Sequence, residues 1–315
     1  MRATVLIFAL AAAAWAGELP GQSIRRALFE LKEMDMHLHA GLERGAGLDP
    51  WLDLAVADGR KVIVVLDHLE LYRPSDRKKT FAVTYPTGPA GHKALMDDLD
   101  ALAARRKDVI LFKGWEVYEG ELDTGVEPDP MRMADVIGWH ISPNHSGQPP
   151  DGGTLIKRIR QILEIQKRFP VPMIVFHPFT MRLEHIQRKA KAAGRDVKAI
   201  LPGEYRFFTA RQQAEVAHLL QGTSVYIEIS NAQAQYINDP ACREALIADI
   251  KPLVEAGVQF TVSTDNHSVA SAKKPFVPVE YTSLYGVTPF NTNTIVRELL
   301  AMKAKRGLIR GASGK

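Results

Sequence analysis

Cysteine is nearly absent from these 315 residues: the single Cys242 excludes an intrachain disulfide and with it a disulfide-stapled scaffold. No sign of charge dominates, since 40 basic residues stand against 36 acidic ones, and a net charge of +4 argues against a dedicated nucleic-acid binder. Glycine (23) and proline (19) are too few and too scattered for a collagenous or disordered chain. Beyond the first residues there is no apolar run long enough to cross a bilayer, no internal repeat and no Gly/Ser/Pro-rich linker. A phosphate-cradling Gly-rich loop and a Gly-x-Ser-x-Gly elbow are missing too, and Cys242 has no histidine beside it. What the chain does have is ten histidines, and their placement carries the argument.

Residues 1–16 read as an address rather than as part of the fold. Met1 and Arg2 precede a predominantly apolar run from Ala3 to Trp15, and Ala14-Trp15-Ala16 is a small-x-small cleavage pattern. Thirteen residues at about 1.5 Å each fall short of a roughly 30 Å hydrocarbon core, which favours a cleaved signal over an anchor. The expectation is an exported chain, periplasmic or secreted, with no stable membrane anchor after cleavage. Residues 17–315 then form a single domain with a net charge of +3 once Arg2 is gone.

Short apolar, β-branched runs alternate with longer stretches of helical period, the pattern of β/α units around a parallel sheet. Strands are expected over Glu33–His39, Lys61–Asp67, Val109–Trp115, Asp135–His140, Pro172–His177, Ser224–Ile229 and Val258–Thr264. Helices are expected near Ser23–Lys32, Asp49–Asp58, Gly91–Arg106, Thr154–Arg168, Ala210–Gln221, Asp239–Gly257 and Asn291–Lys305, with Gly257 as a helix stop. Long loops should follow the strands, including Glu119–Ala134, Ser142–Gly153, Pro178–Thr209 and Ser268–Phe290, and a barrel enzyme keeps its site on such loops. The fold expected is α/β: a single barrel, closed or nearly so.

Reading the C-terminal end of each strand gives a list made almost entirely of metal-ligand residues. Strand one ends in His37-Leu38-His39, two imidazoles on one face; strand two ends in Asp67-His68 and strand three in Glu116. His140 and His177 end strands four and five, Glu228 lies near the end of strand six, and Asp265-Asn266-His267 follows strand seven. A lone histidine is more often a structural residue bonded to a carbonyl, but six of ten recurring at one topological position are not independent accidents. Packed there without a cation, they would bury several unpaired polar groups. The other four, His92, His145, His185 and His218, read as surface or structural residues. Six histidines with Glu116 and Asp265 exceed the needs of one tetrahedral ion and suit two or three divalent ions of zinc, manganese or iron, with Glu116 able to bridge. Metal-assisted hydrolysis, with activated water as nucleophile, is the reaction class that follows.

These residues resemble the polymerase and histidinol phosphatase (PHP) domain, a distorted seven-stranded β/α barrel of metal-dependent phosphoesterases. Its opening Asp-x-His-x-His corresponds to Asp35, His37 and His39; later positions correspond to Asp67-His68, Glu116, His140, His177 and the closing Asp265-x-His267. The resemblance covers about Asp35 to His267 and implies a distorted (β/α)7 barrel, TIM-like, with its metal site at the C-terminal ends of the strands. It implies one ion held by His37, His39, Glu116 and Asp265, a second by Glu116, His140 and His177, and a third by His68 and His267. Many members carry a further histidine six residues beyond the first pair, where this chain has Gly45 beside Arg44. Either the third ion is lost or Arg44 offers its charge to a substrate phosphate, so Glu116, Asp265 and Arg44 are the candidate catalytic residues; a solvated loop charge is the alternative for Arg44. Asp35 and Asp67 are expected to orient ligand imidazoles rather than bind an ion.

Arg182, Arg188, Lys189, Lys191, Arg195, Lys198, Arg206 and Arg211 form a basic segment after His177. It reads as an exposed amphipathic helix with a solvated face or, alternatively, as a lid attracting an anionic substrate. Lys113 is either a second such cation or salt-bridged, and the tryptophans at 51, 115 and 139 are either a stacking wall or core. The expected partner is a small anionic, phosphorylated substrate, and no nucleic acid. Two rival readings stand beside it: an amidohydrolase-type enzyme acting on a C–N or C–O bond, and a non-catalytic exported protein binding metal or an anion. His68, Glu116 in place of a lysine ligand, and His267 count against the first.

Overall fold

A computed structural model describes residues 29–40, 47–73, 84–141, 151–268 and 281–306. Seven parallel strands are paired in sequence order: β1 Met34–His39, β2 Val62–His68, β3 Ile110–Tyr118, β4 Val136–His140, β5 Met173–Phe176, β6 Val225–Ser230 and β7 Phe260–Ser263. Each matches an expected strand within a few residues. β1 and β7 close the ring through the Asp265 N–H to the His37 carbonyl (2.9 Å) and the His39 N–H to the Asn266 carbonyl (3.0 Å). The result is a nearly closed (β/α)7 barrel, as the spacing of the strands implied.

Seven helices of nine residues or more lie among the described residues: α1 Asp49–Ala57, α2 Pro89–Arg105, α3 Gly152–Arg168, α4 Pro178–Ala192, α5 Ala210–Leu220, α6 Pro240–Glu255 and α7 Pro289–Lys305. Their ends are written locally. Asp151 caps α3 by accepting from the Thr154 N–H (2.7 Å), and Thr209 with Gln212 makes a capping box on α5. Gly257, at φ +85°, adopts the left-handed turn after α6 that only glycine enters freely. Of the expected loops, Pro178–Thr209 begins with α4, whose Phe179, Leu183 and Ala190 bury one face, and Glu119–Ala134 holds two short helices. Of the expected helix Ser23–Lys32, only residues 29–32 are described, and there an extended Glu30 leads into a single 3-10 turn, Leu31–Glu33, instead of an α-helix; the cleavage site lies outside the described residues, as do most of Ser142–Gly153 and residues 269–280.

Two apolar layers result. The larger packs the helices against the barrel's outer face; Trp51, Trp115 and Trp139 are fully buried in it, so they are core and not a stacking wall. The smaller fills the barrel interior with Met34, Met36, Val62, Val64, Leu66, Phe112, Ile174, Phe176 and Tyr226, and Ile295, Val296 and Leu299 of α7 join it. Along β2, residues 62, 64 and 66 point inward, and the same period carries His68 to the inner face at the strand's end. β1 behaves differently. Its pairing with β2 slips by one residue between Asp35 and Leu38, so Met34 and Met36 fill the interior below the bulge while His37 and His39 face inward above it.

Candidate metal centre

The bulge puts Asp35 out of phase with the two histidines that follow it. Its carboxylate accepts from the Thr264 N–H (2.9 Å) and Thr264 hydroxyl (2.8 Å) and lies 3.6 Å from the Arg60 guanidinium. Asp35 therefore ties the end of β7 to β1. The expectation that it orients an imidazole is corrected: it touches His37 only through the backbone N–H. Asp67 comes closer to its expected place, with Oδ1 4.0 Å from His39 Nδ1, while it accepts from the Tyr72 hydroxyl (2.8 Å) and the His68 N–H (2.9 Å).

The remaining expected ligands converge at the C-terminal mouth of the barrel. His37 Nε2 and His39 Nε2 are 2.9 Å apart; they lie 3.3 and 3.0 Å from Glu116 Oε2 and 3.5 and 3.6 Å from Asp265 Oδ1. A tetrahedral ion with bonds of about 2.0–2.1 Å separates its ligand atoms by roughly 3.3 Å, so this spacing fits one ion. The other Glu116 oxygen, Oε1, faces a different pair, His140 Nδ1 at 2.9 Å and His177 Nε2 at 3.4 Å. His68 Nε2 sits 3.2 Å from Glu116 Oε2, and ligand atoms of His39, His68 and His267 also come together within 4.8 Å. All eight expected ligand residues are thus gathered, with His68 nearer to Glu116 than a separate third group would require. Arg44 lies outside the described residues.

The electrostatics ask for a cation. Burial would push the His37 imidazole down, but Glu228, Asp265 and Glu116 overcome it and hold it well above its ordinary value. Burial likewise opposes the charge on Glu116, yet His68 and His37 hold that carboxyl well below the usual range. His68 is raised to about 9 against its burial by Glu116 and Glu70, whereas partial burial and the neighbouring His39 push His267 down. Positive charge on these imidazoles is favoured by the buried carboxylates of Glu116 and Glu228 and the partly buried one of Asp265. The buried atom Asp265 Oδ1 has no hydrogen-bond partner, as expected where an ion rather than a proton completes a centre. Divalent ions fit this donor set.

Among the described residues, the two other than glycine with positive φ are both in the centre: His177 (33°) and Asp265 (54°). Strain of this kind persists where surrounding contacts enforce it. His37 and His39 are fully buried, while the side chain of His267 is 41% exposed and that of His140 23%, so the centre opens to solvent on their side. His267 Nδ1 donates to the Asp265 carbonyl (3.0 Å), which leaves Nε2 free.

Two participants escaped the sequence reading, and a third was noted at its strand end without a role. That third, Glu228, has Oε1 2.7 Å from His37 Nδ1; Glu70 Oε1 lies 3.1 Å from His68 Nδ1, and the Phe176 ring stacks on His37 with centroids 3.7 Å apart. Glu228 carried a signal, an acidic residue at an inward position of an otherwise apolar strand; Glu70 and Phe176 carried none. The basic segment resolves as the amphipathic-helix reading. Arg182 donates to the Tyr205 carbonyl, Arg195 to Glu204 and Arg206 to Asp249, while Lys189, Lys191, Lys198 and Arg211 are exposed. Lys113 faces Asp100, away from the centre. His92 and His185 are buried in helices and His218 is exposed, as structural residues would be; His145 lies outside the described residues.

The fold is similar to that of the histidinol phosphate phosphatase of Lactococcus lactis, crystallised with zinc, L-histidinol and phosphate. The TM-score is 0.50 at 14% identity, over 81% of this chain and 93% of that one. A putative histidinol phosphatase of Listeria monocytogenes gives 0.49 at 12% identity over 79% and 99%, and a putative 2-pyrone-4,6-dicarboxylic acid hydrolase of Pseudomonas putida gives 0.41 at 14% over 87% and 99%. No protein-family model matches the chain, and no curated protein matches it in sequence. The likeness is one of fold: the barrel is PHP-like.

Proposed function

We propose that this chain is an exported, metal-dependent phosphoesterase that hydrolyses a small anionic phosphate ester. The observation that carries the proposal is the division of Glu116, one oxygen toward His37 and His39 and the other toward His140 and His177. A single carboxylate so placed would join two ions: one held with His37, His39 and Asp265, the other with His140 and His177. His68 and His267 would hold a third. Zinc, manganese or iron bound there would supply a hydroxide near neutral pH and neutralise charge on the attacked group. The chain's own part is to place the ligands and to leave one side open. His267 and His140 border that side, so the scissile group would enter over them.

Phosphate is favoured over a carbonyl substrate because the fold neighbour with a TM-score of 0.50 was crystallised with zinc and phosphate. Among the described residues, Arg73 is paired with Glu121 and Glu127, and Arg158 with Glu119 and Asp123. The charge that meets the phosphate would come from bound ions, with Arg44 as the candidate side-chain cation. The test is hydrolysis of p-nitrophenyl phosphate by chelator-treated protein given back Mn2+ or Zn2+, beside matched amide and carboxylic ester substrates. Glu116→Gln should lose more than about 100-fold in activity, since even residues behind a ligand cost 10–100-fold. Cleavage of the amide or ester alone would overturn the phosphoesterase reading. A mature protein beginning at Gly17 would support export, and an intact Met1 would refute it.

A further inference from the structure

Glu228 belongs to no motif in the chain, yet it is fully buried beneath the centre and both its oxygens are committed. Oε1 lies 2.7 Å from His37 Nδ1 and accepts from the Ser263 hydroxyl; Oε2 accepts from the His177 backbone N–H at 2.6 Å. These partners lie on opposite sides of the Glu116 bridge. His37 turns its Nε2 toward Glu116 Oε2, while His177 turns its Nε2 toward Glu116 Oε1.

The first bond selects a tautomer. With the proton of His37 on Nδ1 and donated to Glu228, the Nε2 lone pair is left for an ion. The second holds a backbone shape. His177 sits at φ 33°, ψ 38°, a left-handed conformation unfavourable for a side-chain-bearing residue, just before Pro178 begins α4. Its N–H is held by Glu228, and that turn aims the ring at Glu116. A separation of 2.7 Å, with Ser263 on the same oxygen, marks a hydrogen bond and not a further ion position.

We infer that Glu228 is a positioning residue that couples the two ion positions, one carboxylate setting the tautomer of His37 and the turn at His177 together. The inference rests on the metal reading above. It predicts that a change at Glu228 weakens both ions at once, although Glu228 touches neither.

Glu228→Gln separates this from a merely structural role. An amide has one acceptor where the carboxylate has two. If its oxygen faces His37 and Ser263, its NH2 meets the donor N–H of His177. If it faces His177, its NH2 faces His37 Nδ1 and drives the proton to Nε2, where an ion should sit. Chelator-treated full-length wild type, Glu228→Gln and His140→Ala are titrated with Zn2+ against a chromogenic chelator, with melting followed with and without ion. Glu228→Gln should bind both ions 10–100-fold more weakly, and its ion-induced rise in Tm should shrink; His140→Ala should weaken one ion only. Glu228→Asp keeps the charge but is one methylene too short for both partners, and is read the same way if the glutamine variant does not fold. Unchanged affinity, or loss of one ion alone, in the Glu228 variant that folds would overturn the inference. A wild type that takes up no ion would instead overturn the metal reading itself.

Discussion

One methyl group added at Gly138 should reach the metal centre through a single aromatic ring. Gly138 lies on β4 two residues before His140, and a Cβ there would fall 1.7, 2.2 and 2.5 Å from Cε2, Cζ and Cδ2 of Phe176. Carbon atoms in contact rest at about 3.5–4.0 Å, so the ring would have to retreat by about 1.5–2 Å. Its freedom to do so is limited, because it is fully buried and stacked on His37 at 3.7 Å. Overpacking of this kind typically costs about 1–3 kcal/mol, and the enclosure of Phe176 places Gly138→Ala toward the upper end. For a domain of this size the expected fall in Tm is roughly 3–5 °C. Because the displaced ring carries His37 with it, metal affinity should fall about tenfold as well. Thermal melts and chelator competition measure the two effects separately. Adding Phe176→Leu makes room, so the double variant should be more stable than the sum of the single changes implies, by about 0.5–3 kcal/mol. A Gly138→Ala protein that melts and binds metal like the wild type, or a strictly additive double variant, would refute this reasoning.

Two further outcomes follow from the same geometry. Stripping divalent ions with a chelator should lower Tm, and restoring an ion at about 100 times its Kd should return about 2.7 kcal/mol of stability; a melt indifferent to chelator would count against an ion-completed centre. Hydrogen bonds from Arg158 and Gln161 hold the Asp123 carboxyl down at about 2, so its contribution is present above the ordinary carboxylate pKa near 3.8 and is lost as pH falls through 2. Asp123→Asn should therefore be less stable than wild type at pH 5 and converge with it near pH 2, and equal urea midpoints at pH 5 would exclude that role.

The fold was legible because its determinants are local. A strand such as Val62–His68 announces itself by β-branched residues, and a helix such as α3 by Ile159 and Ile162 on one face with a capping Asp151. Glycine at 257 marks a stop because only backbone freedom is needed there. The ligand positions were legible for a related reason: parallel strands all end at the same face of a barrel, so residues at strand ends meet whatever the packing between them. Where the reading failed, phase or long-range pairing was at stake. Asp35 shares the parity of His37 and His39 by count, and only the bulge in β1 shows that it faces Thr264 and Arg60 instead. The basic run after His177 could be lid or helix until its partners, the Tyr205 carbonyl, Glu204 and Asp249, were known.

By itself, then, the sequence determined seven strands in order and six histidines, a glutamate and an aspartate at one end of them, because periodicity and strand direction are written within a few residues of each position. The tertiary structure alone decided which oxygen of Glu116 faces which pair, that Glu228 stands behind both His37 and His177, and that Phe176 needs a glycine at 138 to lie against His37. Those relations join residues 24 to 191 positions apart in the chain. They depend on strand register, twist and side-chain packing, and no local pattern carries that information.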